Sequence, residues 1–137
     1  MNDRSTFDQD TILYKDLTAS ALKNAISGGI YKYERPDNSK LEDVVINSIA
    51  ITNDDIQLGV ANVNIHVPAI EINVDGKPQR KPNIKRLAAL AIIAIPILKH
   101  KVGQDYNYWI SSQSTVKNPD TNERFINFTI NFKLHKY

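Results

Sequence analysis

Ile84-Lys-Arg-Leu-Ala-Ala-Leu-Ala-Ile-Ile-Ala-Ile-Pro-Ile-Leu98 is the most apolar stretch of the chain, and polar, strand-like segments lie on both sides of it. Its apolar residues recur at helical spacing, which predicts a buried helix. One apolar face consists of Leu87, Ala88, Ala91, Ile95 and Leu98, and a second face beside it consists of Leu90, Ile93 and Ile97. We expect a sheet to cover one face, and either the rest of the chain or a second copy of it to cover the other.

Length, composition and charge indicate one globular domain without disulfides. A chain of 137 residues buries roughly 70% of its unfolded surface and needs no covalent staple. It has no cysteine, which excludes thiolate zinc sites and a cysteine nucleophile. The formal net charge is +2, from 17 basic and 15 acidic side chains, so the composition gives no strong sign of nucleic-acid binding.

No segment predicts a membrane span or a secretory signal. The run from Leu87 to Leu98 has 12 residues and contains Pro96, whereas a membrane helix needs about 20. The first ten residues are polar and acidic, unlike a signal peptide. We therefore expect a soluble protein without membrane contact, and the lack of cysteine is compatible with a reducing cytoplasm.

The chain before the apolar helix predicts one helix and three strands. Residues 1–10 are predicted to form a flexible polar arm, and residues 11–137 a single domain. A helix is expected over 11–26, ended by Ser27-Gly28-Gly29 because glycine readily adopts the left-handed conformation of a helix end. Strands are predicted at Ile30–Tyr33, Glu42–Ile51 and Gln57–Ile70, the last alternating Val63, Ile65 and Val67 with Asn62, Asn64 and His66.

The chain after residue 70 predicts a loop, the apolar helix and two more strands. Residues 74–82 are predicted to be a turn and a polar, basic loop, and Pro96 is expected to kink the helix or end it within a turn. Strands are predicted at Tyr106–Ser112 and Arg124–Leu134, with Ile126, Phe128, Ile130, Phe132 and Leu134 on one face. Because helices and strands are segregated, the predicted fold is α+β, a mostly antiparallel sheet of four or five strands with two helices on one face.

The sequence contains no recognisable catalytic, cofactor or metal site. His66, His100 and His135 are far apart and lack metal-ligand spacing. The acidic pairs Glu42-Asp43 and Asp54-Asp55 are adjacent residues, which point to opposite faces of a strand or into solvent at a turn. We therefore predict that the protein is not an enzyme and takes no cofactor or metal.

Two features leave a binding function open. The basic residues Lys77, Arg80, Lys81, Lys85 and Arg86 form either a phosphate-binding patch or an exposed loop and first helical turn. Positive charge at a helix N-terminus opposes the helix dipole, which hints at an acidic partner surface. Tyr106, Tyr108 and Trp109, with Tyr31 and Tyr33, form either a stacking platform for bases or core and cross-strand pairs.

The order of elements resembles the small tail-completion, or tail-terminator, proteins of long-tailed bacteriophages. The resemblance covers roughly residues 11–135 and includes a long helix and two closing strands after the segments that carry it. Those segments are Ser27-Gly28-Gly29 followed by Ile30-Tyr31-Lys32-Tyr33, then Pro36 with Glu42-Asp43-Val44-Val45-Ile46-Asn47, and then Gly59-Val60-Ala61-Asn62-Val63-Asn64-Ile65-His66-Val67-Pro68.

The resemblance implies a structural virion protein that caps the finished tail tube as a ring, commonly a hexamer, and forms the head–tail joining interface. Its implied partners are further copies of itself, the tail-tube protein and the head connector, with DNA passing through the ring lumen. It would reside in the tail or neck of the virion, assembled in the bacterial cytoplasm. Pro96 inside the helix and the basic loop 75–82 depart from the family and favour an alternative, another neck component such as a connector adaptor or stopper.

Candidate contact residues follow from the surplus apolar surface and the exposed sheet edges. The predicted subunit interface consists of Leu90, Ile93, Ile97, Tyr31 and Asn62. The predicted partner or lumen surface consists of Lys77, Arg80, Lys81, Lys85 and Arg86. A different class of function, a small α+β nucleic-acid-binding module, would use the basic loop 77–86.

Overall fold

The apolar stretch forms the longest helix of an α+β domain. The computed structural model describes residues 3–135. Its helices are α1 (Thr6–Thr18), α2 (Ala21–Ala25) and α3 (Ile84–Leu98). Its strands are β1 (Ile30–Lys32), β2 (Asp43–Ile51), β3 (Ile56–Val67), β4 (Ile70–Val74), β5 (Lys77–Lys81), β6 (His100–Gly103), β7 (Tyr106–Lys117) and β8 (Arg124–His135).

Six strands form one sheet, in the order β1-β2-β3-β8-β7-β6, and β4 and β5 form a separate two-stranded hairpin. All neighbours are antiparallel except β1 and β2. Strands β2 and β3 form an antiparallel hairpin, and β3 pairs with β8 along its whole length. The α+β prediction is therefore correct, but the described chain has eight strands and three helices instead of four or five strands and two helices.

One face of the six-stranded sheet packs against the helices and forms the core. Both faces predicted from strict alternation are confirmed, because strands covered on one side bury every second side chain. The buried sheet residues include Val63, Ile65 and Val67 of β3, and Ile126, Phe128, Ile130, Phe132 and Leu134 of β8. The helices contribute Leu13 and Leu17 from α1, Leu22 from α2, and Leu87, Leu90, Ala94 and Leu98 from α3.

The N-terminal segment differs from the predicted flexible arm. Helix α1 begins at Thr6, and Gln9 and Asp10 are buried, so the arm prediction is wrong for residues 6–10; residues 1 and 2 lie outside the described residues. Hydrogen bonds offset the cost of burying these two side chains, because Ser48 of β2 donates to Asp10 and accepts from Gln9. The predicted single helix is also interrupted, since the hydroxyl of Ser20 caps a separate α2.

The segment predicted to be a loop forms the β4–β5 hairpin. The turn itself was predicted correctly: Asp75 and Gly76 have φ values of 52° and 75°, as a two-residue type I′ turn requires. The residues flanking it pair from Val74 and Lys77 to Ile70 and Lys81. Short strands thus replace the end of the predicted third strand and the basic loop.

Helix α3 is oriented differently from either predicted apolar face. Leu87, Leu90, Ala94 and Leu98 point into the core, and this set draws on both predicted faces. Ala88, assigned to the first face, is exposed. Pro96 lies two residues before the helix end at Leu98, as its missing donor predicts, and β6 begins at His100.

Candidate functional site

An exposed apolar stripe runs along the side of α3 that faces away from the core. Its members are spaced four residues apart, so they share one face of the helix: Ile84, Ala88, Ile92 and Pro96 are all exposed. Ile84 is 57% exposed and Ile92 is 73% exposed. Contiguous exposed apolar surface of this kind marks interaction sites on soluble proteins.

Beside the stripe lies a groove between α3 and β7, with a volume of about 260 Å³. The helix side of the groove is apolar, and the strand side is polar. It is lined by Ile84, Leu87, Ala88 and Ala91 from α3, Gln113, Ser114 and Thr115 from β7, and Ile126 from β8. We call this feature the α3–β7 groove.

The outer edge of β7 is open next to this groove. The short strand β6 pairs only with Tyr106–Trp109, and within residues 3–135 nothing pairs with the outer side of Ser111–Lys117, which is exposed throughout. The amide of Asn118 donates to the carbonyl of Glu123 at 3.0 Å. Hydrogen-bonded pairs alternate along an antiparallel ladder, so the backbone groups of Gln113, Thr115 and Lys117 point away from β8. An open edge of this length is a template for a further strand.

The β4–β5 hairpin carries a second unpartnered surface. On one face of β4, Ile70, Ile72 and Val74 alternate and each retains 38–40% exposure. Counting the ladder from the two-residue turn, Asn73 and Pro78 form a non-hydrogen-bonded pair, so their backbone nitrogens point outward. The nitrogen of Pro78, which points outward from β5, carries no hydrogen and cannot donate to a further strand.

The outer edge of β5 is further occupied by the body of the domain. The next outward carbonyl on β5, that of Arg80, accepts from Nδ2 of Asn122. The outer edge of β4 has no such cover: in the part of the chain that the structure describes, β4 pairs only with β5. The β5 edge of the hairpin is therefore closed to a further strand, and the β4 edge can accept one.

The predicted basic surface divides into two parts. Lys77, Arg80 and Lys81 are exposed on β5, and Lys85 is exposed in the first turn of α3. Arg86 differs, because its Nε donates to Oε2 of Glu42 at 2.6 Å and its Nη2 donates to Oε1 of Glu42 and to the carbonyl of Ala25. Arg86 thus joins α2, α3 and the segment before β2, and its place in a partner surface stays a prediction.

The predicted subunit-interface residues do not lie together. Leu90 is fully buried in the core, so no side-chain surface remains for a partner, and Ile93 and Ile97 are partly buried against that core. Tyr31 lies on the edge strand β1, as expected. Asn62 lies in the interior of the sheet, between β2 and β8, and accepts from Asn127 at 3.1 Å. The exposed stripe at Ile84, Ala88, Ile92 and Pro96 was missed, although its four-residue spacing is visible in the sequence.

The adjacent acids Glu42 and Asp43 form separate ion pairs instead of a catalytic pair. The Arg86 side chain lowers the pKa of Glu42 by hydrogen bonding to its carboxylate. Burial opposes ionisation of Asp43, but its hydrogen bonds outweigh burial and lower its pKa. Those bonds come from the hydroxyl of Ser39, the amide of Gly29 and the guanidinium of Arg35.

The aromatic residues do not form one stacking platform. Tyr108 is fully buried and donates to Asp16 at 2.7 Å, and both burial and this bond raise its pKa. Tyr33 donates to Asp10 at 2.5 Å, which raises the pKa of Tyr33 to about 12. These contacts fit the alternative of core and anchoring roles.

Nothing in the described residues assembles a metal-binding group of three or more acidic or histidine side chains. His66 stacks on Phe125 with ring centroids 4.7 Å apart on the open face of the sheet. Helices capable of crossing a bilayer are absent from residues 3–135. The exposed surfaces that can form contacts lie on α3, β7 and the β4–β5 hairpin.

The chain matches no model of a known protein family, and no curated protein is significantly similar to it in sequence.

Proposed function

We propose that this protein is a structural component of a phage or prophage particle that assembles into a ring, caps the tail tube and joins it to the head. The family is proposed from the resemblance in element order and local sequence. The observation that carries the assembly step is the unpartnered surface on three elements: the α3 stripe, the open edge of β7 and the apolar face of β4. Work of this kind is docking without turnover.

The positions of these surfaces favour a ring over a symmetric dimer. A contact between two different surfaces of the same chain is heterologous, and repetition of such a contact closes into a ring when the rotation per copy permits. Each contact can be weak, because a copy in a closed ring is held on two sides. Another neck component, such as an adaptor or stopper, would use the same surfaces in a ring of its own.

The first test is the state of assembly of the purified chain. Multi-angle light scattering at micromolar to millimolar concentration, alone and with isolated tail tubes, should give a mass several times the 15.5 kDa of the monomer. Charge reversal at Lys77, Arg80 and Lys81 should weaken docking to tubes or connectors without lowering the melting temperature, since all three side chains are exposed. A chain that stays monomeric in every mixture contradicts the proposal.

A second candidate is favoured by one observation, the placement of Lys77, Arg80 and Lys81 on a two-stranded ribbon. A two-stranded β-ribbon fits the major groove of DNA, and its cations would meet phosphates. DNA binding by the monomer, weakened by salt and abolished by the same charge reversals, would favour this function over the ring.

A further inference from the structure

We infer that β4 of one copy adds as a parallel strand to the open edge of β7 in a second copy, with Ile70, Ile72 and Val74 facing the α3–β7 groove. The six-stranded sheet would then continue across the subunit boundary into the hairpin of the neighbour. This inference rests on the proposed self-assembly and names the surfaces that form it; it does not depend on the phage assignment.

The lengths of the two edges agree. Five residues of β4 span about 17 Å at the rise of a β-strand, and the open part of β7, Ser111–Lys117, spans about 24 Å. The backbone groups of Glu71 and Asn73 point outward from β4, and those of Gln113, Thr115 and Lys117 point outward from β7. In a parallel pair an outward residue bonds to the two residues that flank the one opposite it, so Thr115 opposite Ile72 bonds to Glu71 and Asn73.

The two faces also agree in chemistry. The side chains of Gln113 and Thr115 lie on the helix side of the sheet, because their β8 partners Phe128 and Ile126 do. A parallel strand added beside them, with Ile72 opposite Thr115, places Ile70, Ile72 and Val74 over the groove, where Ile84 and Ala88 are exposed. Three apolar side chains from β4 would cover apolar surface that the monomer leaves in water.

Charge permits the same pairing. Neither α3 nor β7 contains an acidic residue, and their charged residues are Lys85, Arg86 and Lys117, of which Arg86 is bound to Glu42. The only charged residue of β4, Glu71, projects from the face opposite the groove. The basic residues of the hairpin lie on β5, one strand farther from β7, so the pairing brings no like charges into contact.

The two surfaces that meet are different parts of the chain. Each copy offers one of each, so the contact propagates from head to tail.

The chain has no cysteine, so no native thiol competes with engineered disulfides, and these can test the pairing directly. The test variant carries Ile72→Cys and Thr115→Cys together, both at partly or fully exposed positions. Ile70→Cys and Val74→Cys, each combined with Thr115→Cys, sample the neighbouring registers. The matched control combines Asn73→Cys with Thr115→Cys, because the Asn73 side chain projects from the opposite face of β4. Melting temperatures confirm that each variant folds.

Under mild oxidation at assembling concentrations, at least one test variant should give a ladder of disulfide-linked dimers, trimers and higher species on a non-reducing gel. The control should cross-link at least about tenfold more slowly, since side chains on opposite faces cannot meet disulfide geometry. A ladder that also includes the closed ring would support the inference further.

Three results would overturn the inference. A protein that assembles by light scattering but cross-links in none of the three registers refutes the β4–β7 contact and leaves the proposed ring intact. A disulfide within the monomer shows that the hairpin folds onto its own groove. A protein that is monomeric at all concentrations, both alone and with tail tubes, and does not cross-link refutes both the contact and the proposed function.

Discussion

The guanidinium of Arg86 lies 2.6 Å from Oε2 of Glu42, which joins the first turn of α3 to the segment before β2. The same side chain donates to the carbonyl of Ala25 at the end of α2. Its hydrogen bonds to the carboxylate lower the pKa of Glu42, and the same bonds raise the pKa of Arg86. A cation at the N-terminus of α3 opposes the helix dipole. Here the charge of Arg86 is balanced by Glu42, which lies just before β2 in the same chain.

Arg86→Ala should therefore reduce stability, whereas Lys85→Ala should not. We expect Arg86→Ala to lower the free energy of unfolding by about 1–3 kcal/mol, because it leaves Glu42 without its main partner. Lys85 is exposed and forms no ion pair within residues 3–135, so its replacement should change stability by less than about 0.5 kcal/mol. Urea unfolding of the two variants measures both values. Equal losses would mean that the ion pair contributes nothing measurable.

Substitutions at Ile92 and Leu90 should separate an effect on assembly from an effect on folding. Ile92 is 73% exposed and Leu90 fully buried, although both belong to the same apolar run. Ile92→Asp is expected to keep the wild-type melting temperature within a few degrees and to reduce the assembled fraction seen by light scattering. Leu90→Ala should cost about 2–5 kcal/mol of unfolding free energy, because it opens a cavity in the core. Ile93 is less informative, because it is partly buried against the core.

A collapse of the fold in Ile92→Asp would contradict the exposed stripe. An unchanged assembled fraction in a folded Ile92→Asp would remove the stripe from the interface. Ile92→Ser serves as the uncharged companion and distinguishes loss of apolar contact from repulsion by the new carboxylate.

The parts of the fold that sequence reasoning predicted correctly are those whose pattern depends on one local rule. Strands β3 and β8 are covered on one side only, so their burial alternates residue by residue and can be read directly. The turn at Asp75-Gly76 follows from the conformations that these two residues tolerate. The C-terminal end of α3 follows from Pro96, which lies two residues before Leu98.

The parts that were missed depend on contacts between distant segments. Helix α3 is apolar on all sides, so its periodicity cannot decide which side faces the sheet. Asp10 looks like part of a polar arm, and its burial is compensated by Ser48 and Tyr33, 38 and 23 residues away in sequence. The strands β4 and β5 are short and exposed, and Pro78 lowers the strand propensity of β5. For the candidate site, the open edge of β7 depends on the length of β6, which no local pattern reports.

Gly28 should not tolerate a side chain. A Cβ atom at this position would lie 1.9 Å from Oδ1 of Asp43 and 2.5 Å from the backbone oxygen of Glu42. Since Asp43 is held by Ser39, Gly29 and Arg35, it cannot move aside without losing those bonds. We expect Gly28→Ala to destabilise the fold by about 2 kcal/mol or more.

Gly76→Asn is the matched control for Gly28→Ala. Gly76 has a φ of +75°, and a Cβ there would have no atom within 4 Å. Asparagine tolerates the left-handed region, so this variant should lose less than about 1 kcal/mol. Thermal unfolding of both variants decides the comparison, and a Gly28→Ala protein as stable as the control would show that the Asp43 pocket is not rigid.

His66 should make the protein less stable as the pH falls from 7.5 to 5. Burial, with a smaller contribution from the charge of Arg35, lowers the pKa of His66 to about 4, and Asp43 and Glu123 only partly oppose this. An unfolded histidine has a pKa near 6.5. Between these two values the unfolded chain binds a proton and the folded chain does not, so stability is present above pH 6.5 and is lost on acidification. The loss at pH 5 should be roughly 2 kcal/mol.

His66→Gln removes this titration and should therefore show a smaller loss of unfolding free energy between pH 7.5 and 5 than the wild type. His100→Gln is the control, because His100 is exposed on β6; it should follow the wild-type curve. Urea unfolding at the two pH values measures all three proteins and cancels the contribution of the carboxylates common to them. If His66→Gln loses as much stability as the wild type, the imidazole accepts its proton as readily in the folded sheet as in the unfolded chain, and its stacking on Phe125 does not exclude water from it.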